Sequence, residues 1–442
     1  MNDTIFALAS GSGPAGIAVI RLSGPATTAA LAGLIGRVPP PRRATLRRLR
    51  DPLDGSLLDE GLILWFPEPA SFTGEAMAEL QLHGGRAVIA GMLAALGRLP
   101  GLRPAAPGEF TRRAVVNGKL DLTAAEGLAD LVAAETAMQR RQALRQLDGA
   151  LGELYCGWAD RLTNMLAKSE AVIDFPDEDL PGDLEQSRNC AIGALLAEID
   201  LHLQDARRGE RLREGIEIAV IGPPNAGKSS LLNRLVQREA AIVTPIAGTT
   251  RDVIEVQLDL GGYPVLLADT AGLREAADLV ENEGIRRALA RAGSADLKIA
   301  LFDATTWPAL DPMTLALVDE NTLPVLNKVD CRPVPADARI AGRAALPLSL
   351  ANGEGFTALL TRLTALVGER YAPGEAPLLT RARHRTALEA CRSALRRALE
   401  APLPELVAED LRLAVRALGR ITGAVDLEDI LDRIFAEFCI GK

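Results

Sequence analysis

Aromatic side chains supply only 3% of the chain, and cysteine occurs five times, at positions 156, 190, 331, 391 and 439. The cysteines have no C-x-x-C spacing and their number is odd, which argues against both a disulfide framework and a thiolate zinc centre. A reduced, cytoplasmic setting is the expectation. No apolar run approaches the ~18 residues that span a bilayer, so no membrane partner is expected. The stretch Met1-Asn2-Asp3-Thr4-Ile5-Phe6 lacks the basic start and apolar core of a secretion signal. Net positive charge is missing as well. At a formal charge of −9 the molecule has no general attraction for nucleic acid, and RNA would have to be met through a local patch or a partner. The basic cluster from Arg42 to Arg50 reads more readily as a solvated face than as an RNA site.

What is present is hydrophobic material: 48% of 442 residues, against 24% charged, enough for roughly two to four domains at ordinary domain size. The chain is organised around Gly222-Pro223-Pro224-Asn225-Ala226-Gly227-Lys228-Ser229, which fits G-x-x-x-x-G-K-[ST]. An apolar strand-like run, Ile216 to Ile221, precedes it, and Ser230 to Leu235 has the leucine spacing of a helix. Strand, glycine loop and helix together form a phosphate cradle. Glycines let the backbone approach the anion, Lys228 reaches the outer phosphates, and the Ser229 hydroxyl is suited to Mg²⁺.

Further motifs follow in the order that a guanine-nucleotide switch requires. Gly248-Thr249-Thr250-Arg251-Asp252 supplies a threonine that could complete the Mg²⁺ shell when the γ-phosphate is present. A hairpin turned at Gly261-Gly262 leads to Asp269-Thr270-Ala271-Gly272, a D-x-x-G in which Asp269 would hold Mg²⁺ through water. Asn327-Lys328-Val329-Asp330 then offers a carboxylate to the two N–H groups of guanine's Watson–Crick edge, a pattern adenine cannot supply. GTP is the expected nucleotide. Leu273 stands where many small GTPases carry a water-orienting glutamine. Glu281, in an acidic segment that otherwise reads as solvated surface, is the nearest substitute. Arg251 and Arg274 are the candidate arginine fingers, and the Asn225 amide could hold a monovalent cation beside the phosphates.

Around this stretch the texture changes twice. Residues 1–118 read as an α+β domain, with strands over Gly16–Leu22 and Gly61–Phe66 and a helix from Ala87 to Leu99. Within it His83 has no nucleophile pattern beside it and reads as structural. Residues 119–214 read as two or three long helices, opened by a capping box at Thr123 and Glu126. Residues 215–371 hold the nucleotide motifs, and helical texture returns over 372–442. Leu427, Ile430, Leu431, Ile434, Phe435 and Phe438 lie on one face of a last helix, with Asp426 as its N-cap. The expected fold is therefore multidomain, α+β and α/β: an inserted Ras-like P-loop domain carried on one discontinuous helical domain.

Several segments together resemble the MnmE (TrmE) family of tRNA uridine-modification GTPases: Ile20-Arg21-Leu22-Ser23-Gly24-Pro25, Phe72-Thr73-Gly74-Glu75, Pro107 to Ala114, Asn117-Gly118-Lys119-Leu120-Asp121-Leu122, the motifs above, and the tail Phe438-Cys439-Ile440-Gly441-Lys442. The resemblance runs end to end and implies more than the residues alone. It implies an amino-terminal domain like tetrahydrofolate-binding domains, which forms a homodimer and holds a one-carbon folate (5-formyl- or 5,10-methylene-tetrahydrofolate). Its contacts would be Arg21, Glu79, Lys119 and Lys442, with Glu75 an alternative glutamate. It implies a heterotetramer with an FAD-containing MnmG (GidA)-type protein, which adds an aminomethyl or carboxymethylaminomethyl group at C5 of wobble uridine U34 in tRNA. It further implies K⁺-dependent dimerisation of the nucleotide domains. Asn225, Thr244, Ile246 and Thr249 would hold K⁺, Ser229 and Thr250 would hold Mg²⁺, and Glu281 would orient water. The nucleotide would be surrounded by Asn225 to Ser230, by Thr244-Pro245-Ile246-Ala247-Gly248-Thr249-Thr250, by Asp269 to Gly272, and by Asn327, Lys328, Asp330 and Ser349-Leu350-Ala351. That last segment often reads Ser-Ala-x, and its contact is a backbone N–H, which Leu350 can supply.

Cys439 imitates a prenylation box, but Gly441 is not aliphatic and Lys442 is not a usual final residue. A buried small hydrophobe and a catalytic thiol remain its two readings. A regulatory GTPase of ribosome assembly would share the central motifs but predicts neither the amino-terminal segments nor the Cys-Ile-Gly-Lys tail.

Overall fold

The computed structural model describes residues 3–11, 13–174, 184–205, 207–237, 255–269, 293–372, 374, 376–424, 434, 438 and 441. It divides into two compact units, Met1–Ala129 with Gln146–Ile192 and Ser393–Lys442, and Asp130–Arg145 with Gly193–Arg392.

The first unit is built on six strands: β1 (Thr4–Leu8), β2 (Ala15–Ser23), β3 (Thr45–Arg50), β4 (Leu57–Phe66), β5 (Met77–Gly84) and β6 (Leu102–Pro104). Their spatial order is β3-β4-β5-β2-β1-β6, antiparallel except for the β1–β6 pair. Period-two alternation sorts the side chains. Ile20, Leu22, Leu49, Ile63, Ala78 and Leu80 are buried and pack with Leu31, Leu34, Met92 and Leu96 of the helices Thr27–Ile35 and Arg86–Gly97. Between them on the strands, Arg21 and Glu79 stand directly opposite each other in the β2–β5 ladder. One face of the sheet packs on these helices; on the other, Ile5 and Ala7 of β1 are buried with Ala105 and Phe110, while Arg21 and Glu79 stay partly exposed. The expected strands and helix all form, the helix as Arg86–Gly97.

Under the sheet's end, Arg113 is only 1% exposed and is enclosed by carboxylates. Its Nη1 donates to Glu75 at 3.0 Å, and its Nη2 to Asp3 at 2.9 Å and Glu109 at 3.1 Å. Burial opposes ionisation of Glu109, but hydrogen bonds from Arg103, Ala106 and Arg113 outweigh it and hold the carboxyl below its usual range. Glu75 also accepts from the Ser23 hydroxyl at 2.7 Å. The helices Ala150–Asp174 and Pro404–Thr422 pack along each other in the same unit, pinned at the surface by Arg412 and Glu170. Of the carboxy-terminal segment, Ile434 and Phe438 are buried against Leu122. Gly441 has φ +100° and passes so close to β1 that a β-carbon on it would lie 2.2 Å from the Leu8 carbonyl oxygen. The expected last helix, with Asp426, Leu427, Ile430, Leu431 and Phe435, lies outside the described residues.

Among the described residues, the helical stretch before the nucleotide motifs holds two long helices, as expected, Ala150–Asp174 and Leu184–Leu203, with three shorter ones, Leu122–Ala133, Ala137–Leu147 and Arg208–Glu214, and departs from expectation in its first cap. The cap at its start is not Thr123 with Glu126. Asp121 Oδ1 accepts from the Ala124 N–H and from the Thr123 hydroxyl, both at 2.7 Å, so the helix begins before Thr123. The reciprocal box sits further on. Thr136 Oγ1 accepts from the Gln139 N–H at 3.4 Å, while Gln139 Oε1 accepts from the Thr136 N–H at 3.0 Å, opening Ala137–Leu147.

The second unit carries a second six-stranded sheet: β7 (Ile216–Ile221), β8 (Glu255–Leu260), β9 (Tyr263–Asp269), β10 (Leu297–Asp303), β11 (Thr322–Asn327) and, beyond the small hairpin β12 (Arg339–Ile340) and β13 (Arg343–Ala344), β14 (Leu346–Leu348). The order is β14-β11-β10-β7-β9-β8, and only the edge strand β8 runs antiparallel. Central parallel strands are covered on both faces, which is why β11 is buried at all six positions and β10 at all but Asp303. Gly261 (φ +63°) and Gly262 (φ +91°) turn the β8–β9 hairpin, a two-residue turn that needs positive φ at both places.

His202, near the end of Leu184–Leu203, is pushed down to about 4 by burial, with Asp205 opposing the shift and His384 and Arg385 reinforcing it. A histidine kept neutral by the fold binds its proton more readily when unfolded, so protonation favours unfolding. Stability should be undiminished above about pH 7 and fall as pH drops from 6.5 toward 4, by at most about 3 kcal/mol. Urea midpoints at pH 7 and pH 5 check this. The His202→Gln variant should lose less between the two pH values than the native chain; an equal loss assigns the acid sensitivity elsewhere.

Candidate functional site

The helix Lys228–Val236 follows β7, whose two neighbours in the sheet come from opposite directions of the strand order, β9 on one flank and β10 on the other. Such switch points leave a crevice beyond the strand ends. Gly222 touches β10 so closely that a β-carbon would lie 2.3 Å from the Leu301 carbonyl oxygen, and Gly227, at φ +105°, would clash with the Asn327 amide at 2.4 Å. Asn225, at the exposed tip, has φ +61°, a conformation that asparagine tolerates better than most residues. Lys228 Nζ donates to the Gly222 and Pro223 carbonyls, both at 2.9 Å, which curls the loop around its ammonium. Ser229 and Ser230 are exposed, and Ala226 is buried beneath the loop.

The Asn327–Asp330 segment is tied to this loop by one side chain. Asn327, 3% exposed, donates from Nδ2 to the Ala226 carbonyl at 2.8 Å and accepts at Oδ1 from the Leu350 N–H at 3.2 Å. Lys328, at φ +67°, pairs with Asp303 at 2.6 Å. Asp330 is exposed, and a hydrogen bond from the buried Ser349 hydroxyl holds its carboxyl below the usual range. Ala351 is exposed beside them. Asn225 through Ser230, Asn327, Lys328, Asp330 and Ser349 to Ala351 thus gather around one crevice. The Asp269 backbone ends β9 level with Val220 of β7, and its side chain lies outside the described residues. Thr244, Pro245, Ile246, Ala247, Gly248, Thr249, Thr250, Arg251, Thr270, Ala271, Gly272, Arg274, Glu281, Cys439 and Lys442 also lie outside them.

In the first unit a cleft of about 530 Å³ opens on the polar face of the sheet. Arg21, Glu79 and Lys119 line it together, with Phe72, Thr111 and Arg42. Arg21 donates to Glu79 at 2.9 Å, and its guanidinium lies 5.7 Å from the Phe72 centroid and 5.8 Å from that of Phe110. Glu75 is not among the lining residues, being committed to Arg113 and Ser23. Sequence reasoning missed Thr111, whose residue is fully buried and whose hydroxyl has no hydrogen-bond partner. Its place in the Pro107–Ala114 motif was the available signal. His83 is exposed and pairs with Asp59 at 2.8 Å, outside the cleft. Of the basic cluster, Arg42 stacks over Phe66 at the cleft, Arg48 pairs with Glu60, and Arg50 donates to the Gly55 carbonyl.

Two family models match the chain, one described as the MnmE helical domain over residues 122–439 and one as the GTP-binding protein TrmE N-terminus over residues 4–119. The chain belongs to the MnmE family. The tRNA modification GTPase MnmE of Rhodospirillum rubrum is 57% identical to it, covering all of this chain and 99% of its own length. Its counterparts from Paramagnetospirillum magneticum and Parvibaculum lavamentivorans are 58% and 59% identical, each covering both chains in full. The solved G domain of the Thermotoga maritima FeoB iron transporter reaches a TM-score of only 0.27 over 34% of this chain and 98% of its own, at 22% identity, and adds no argument to these relatives. Among the described residues no helix is long and apolar enough to cross a membrane.

Proposed function

We propose that the chain is a GTP-hydrolysing enzyme of tRNA modification, organised as a folate-binding, dimer-forming domain (1–118), two helical segments (119–214 and 372–442) and a nucleotide domain (215–371). The observation that carries the nucleotide reading is Asn327, which joins the phosphate loop to the Ser349–Ala351 loop through one amide. A base contacted at Asp330 and a phosphate contacted at Lys228 are thereby held in one rigid frame. Asp330 accepts guanine's N1–H and amino donors, and the Leu350 N–H, which donates to Asn327 Oδ1 at 3.2 Å, would be shared with or turned to O6, the acceptor on the same edge.

For the reaction, water adds to the γ-phosphorus, the bond to the β,γ-bridging oxygen breaks, and GDP leaves with inorganic phosphate. The chain's part is positioning and charge. Lys228 moves from the loop carbonyls to the outer phosphates, and the N–H groups opening Lys228–Val236 face the anion. The exposed Ser229 hydroxyl suits Mg²⁺ as a hard oxygen ligand, with Thr250 as its partner. The exposed Asn225 amide oxygen suits K⁺, with Thr244, Ile246 and Thr249. These cations, when bound, offset charge developing on the phosphates. Glu281 orients the water, since Leu273 cannot.

In the first unit the cleft is read as the site of a tetrahydrofolate derivative. Arg21, Glu79 and Lys119 supply charge of both signs, Phe72 an apolar wall, and the buried Thr111 hydroxyl a hydrogen bond that has no protein partner. Gly441, two residues after Cys439 and one before Lys442, runs against β1 of the same unit, which supports assigning the tail to that region. With an FAD-containing MnmG-type partner in the cytoplasm, a homodimer would add the aminomethyl or carboxymethylaminomethyl group to U34. Mass spectrometry of tRNA nucleosides from a strain lacking this chain tests the proposal. Loss of the C5-modified wobble uridines, restored by the native chain, is expected; an unchanged nucleoside profile removes the reading.

A further inference from the structure

Arg234 lies six residues beyond Lys228 and belongs to none of the motifs above. Its guanidinium nevertheless reaches the loop after β14. Nη1 donates to the Leu350 carbonyl at 2.5 Å, and the guanidinium carbon lies 5.3 Å from the centroid of the Phe356 ring. Gly353, at φ +92°, makes room for it: a β-carbon there would lie 2.5 Å from Nη2. Any side chain at 353 would be strained by its backbone and would displace the guanidinium. The loop folds around this arginine.

The same residue, Leu350, is held from its other side. Its N–H is donated to Asn327 Oδ1, and Asn327 Nδ2 is fixed on the Ala226 carbonyl. The Leu350 backbone is therefore anchored twice to the phosphate-binding element, once to the loop through Asn327 and once to the helix through Arg234. Within the loop, the Ser349 N–H donates to the Glu354 carbonyl at 2.9 Å and the Gly353 N–H to the Ser349 carbonyl at 2.9 Å. These bonds set the loop's shape. Its distance from the phosphate site is set by the β11–β14 ladder, which ends with Asn327 opposite Leu348, and beyond the ladder by the Asn327 and Arg234 bonds.

We propose that Arg234 is a positioning residue for guanine selectivity. It fixes the height of the Ser349–Ala351 backbone over the crevice, so that an N–H meets O6 of a base whose phosphates are already held by Lys228. The inference rests on the guanine-nucleotide reading above. An arginine suits the task because its planar fork donates to a carbonyl and stacks on a ring at once, where a lysine ammonium does the first alone. Loss of a charge-assisted bond to the loop carries a cost only for a ligand that uses the loop.

The test is a cycle between side chain and ligand. GDP is compared with 6-thioguanosine 5′-diphosphate, which keeps guanine's N1–H and exocyclic amine but replaces O6 with sulfur, a much weaker acceptor, on the full native chain, Arg234→Met and Arg234→Lys. Methionine keeps an apolar stem beside Phe356. Arg234→Met should weaken GDP about tenfold and the analogue less than about twofold, with Arg234→Lys in between. Equal losses for the two nucleotides, or no loss for GDP, overturn the proposal. If Arg234→Met does not fold, Arg234→Lys decides alone, by a GDP-selective loss of about threefold against none. A native chain that binds ADP as well as GDP would sink the guanine reading itself, an outcome distinct from any pattern among the variants.

Discussion

Asp330→Asn is expected to weaken GDP binding by about three orders of magnitude and to pass the site to xanthosine diphosphate. The carboxylate is exposed at the mouth of the crevice, and the Ser349 hydroxyl keeps it below its usual value of 3.8, so it is ionised and purely an acceptor at any working pH. Guanine answers with two donors, N1–H and the exocyclic amine. An asparagine presents its own N–H₂ to that amine, and one donor faces another with no acceptor between them. Xanthine carries a carbonyl at the same ring position and restores the pairing. Because an asparagine Oδ1 can still accept from the buried Ser349 hydroxyl, the fold should persist, and the phosphate contacts of Lys228 and Ser229 should be equally available to both nucleotides. Displacement of a fluorescent guanine nucleotide by GDP and by xanthosine diphosphate gives the two affinities. Unchanged GDP affinity in the variant would mean that Asp330 does not read the base.

How much of this site could be read from the chain follows from what each contact depends on. Phosphate binding requires glycine, lysine and serine at fixed offsets along one strand–loop–helix, so Gly222 to Ser229 were legible as a string. Asp330 and Asn327 were legible for the same reason. The long-range ties were not. Asn327 meets Ala226 across 101 positions and Arg234 meets Leu350 across 116, distances for which no periodicity exists. In the first unit the strand pattern gave the sheet, yet the choice between Glu75 and Glu79 stayed open because both follow Phe72 closely. The fold separates them: Glu79 faces Arg21 across the β2–β5 ladder and lines the cleft, whereas Glu75 is spent on Arg113. Thr111 was hidden inside a helix whose capping residues drew no notice, and its unpaired hydroxyl exists only as a three-dimensional fact. The capping-box expectation failed at Thr123 because Asp121 caps the helix two residues earlier, taking the Ala124 N–H and the Thr123 hydroxyl itself, a local rivalry that spacing alone does not weigh.

Hydrolysis should run about a hundredfold faster in K⁺ than in Na⁺, and Asn225→Gly should remove most of that difference while leaving GDP affinity near its native value. The choice of glycine is the point of the experiment. Asn225 sits at φ +61°, so an alanine there would combine loss of the amide with strain of about 1 kcal/mol or more in the loop. Glycine adopts that backbone freely, and its only defect is the missing oxygen. A purely conformational role for Asn225 predicts that glycine serves as well as asparagine. A ligand role predicts that it does not. The expectation of a cation arises from what the chain lacks: Leu273 cannot orient water, and neither Arg251 nor Arg274 is an assured source of positive charge at the phosphates. An arginine supplied to such a site is worth roughly 10³–10⁵ in rate, which sets the scale of what must be replaced. Phosphate release measured in matched potassium and sodium salts, with Mg²⁺ and GTP saturating, separates the alternatives. Equal rates in the two salts for the native chain would remove the cation from the mechanism, and a native-like salt response in Asn225→Gly would move its ligand elsewhere in the chain.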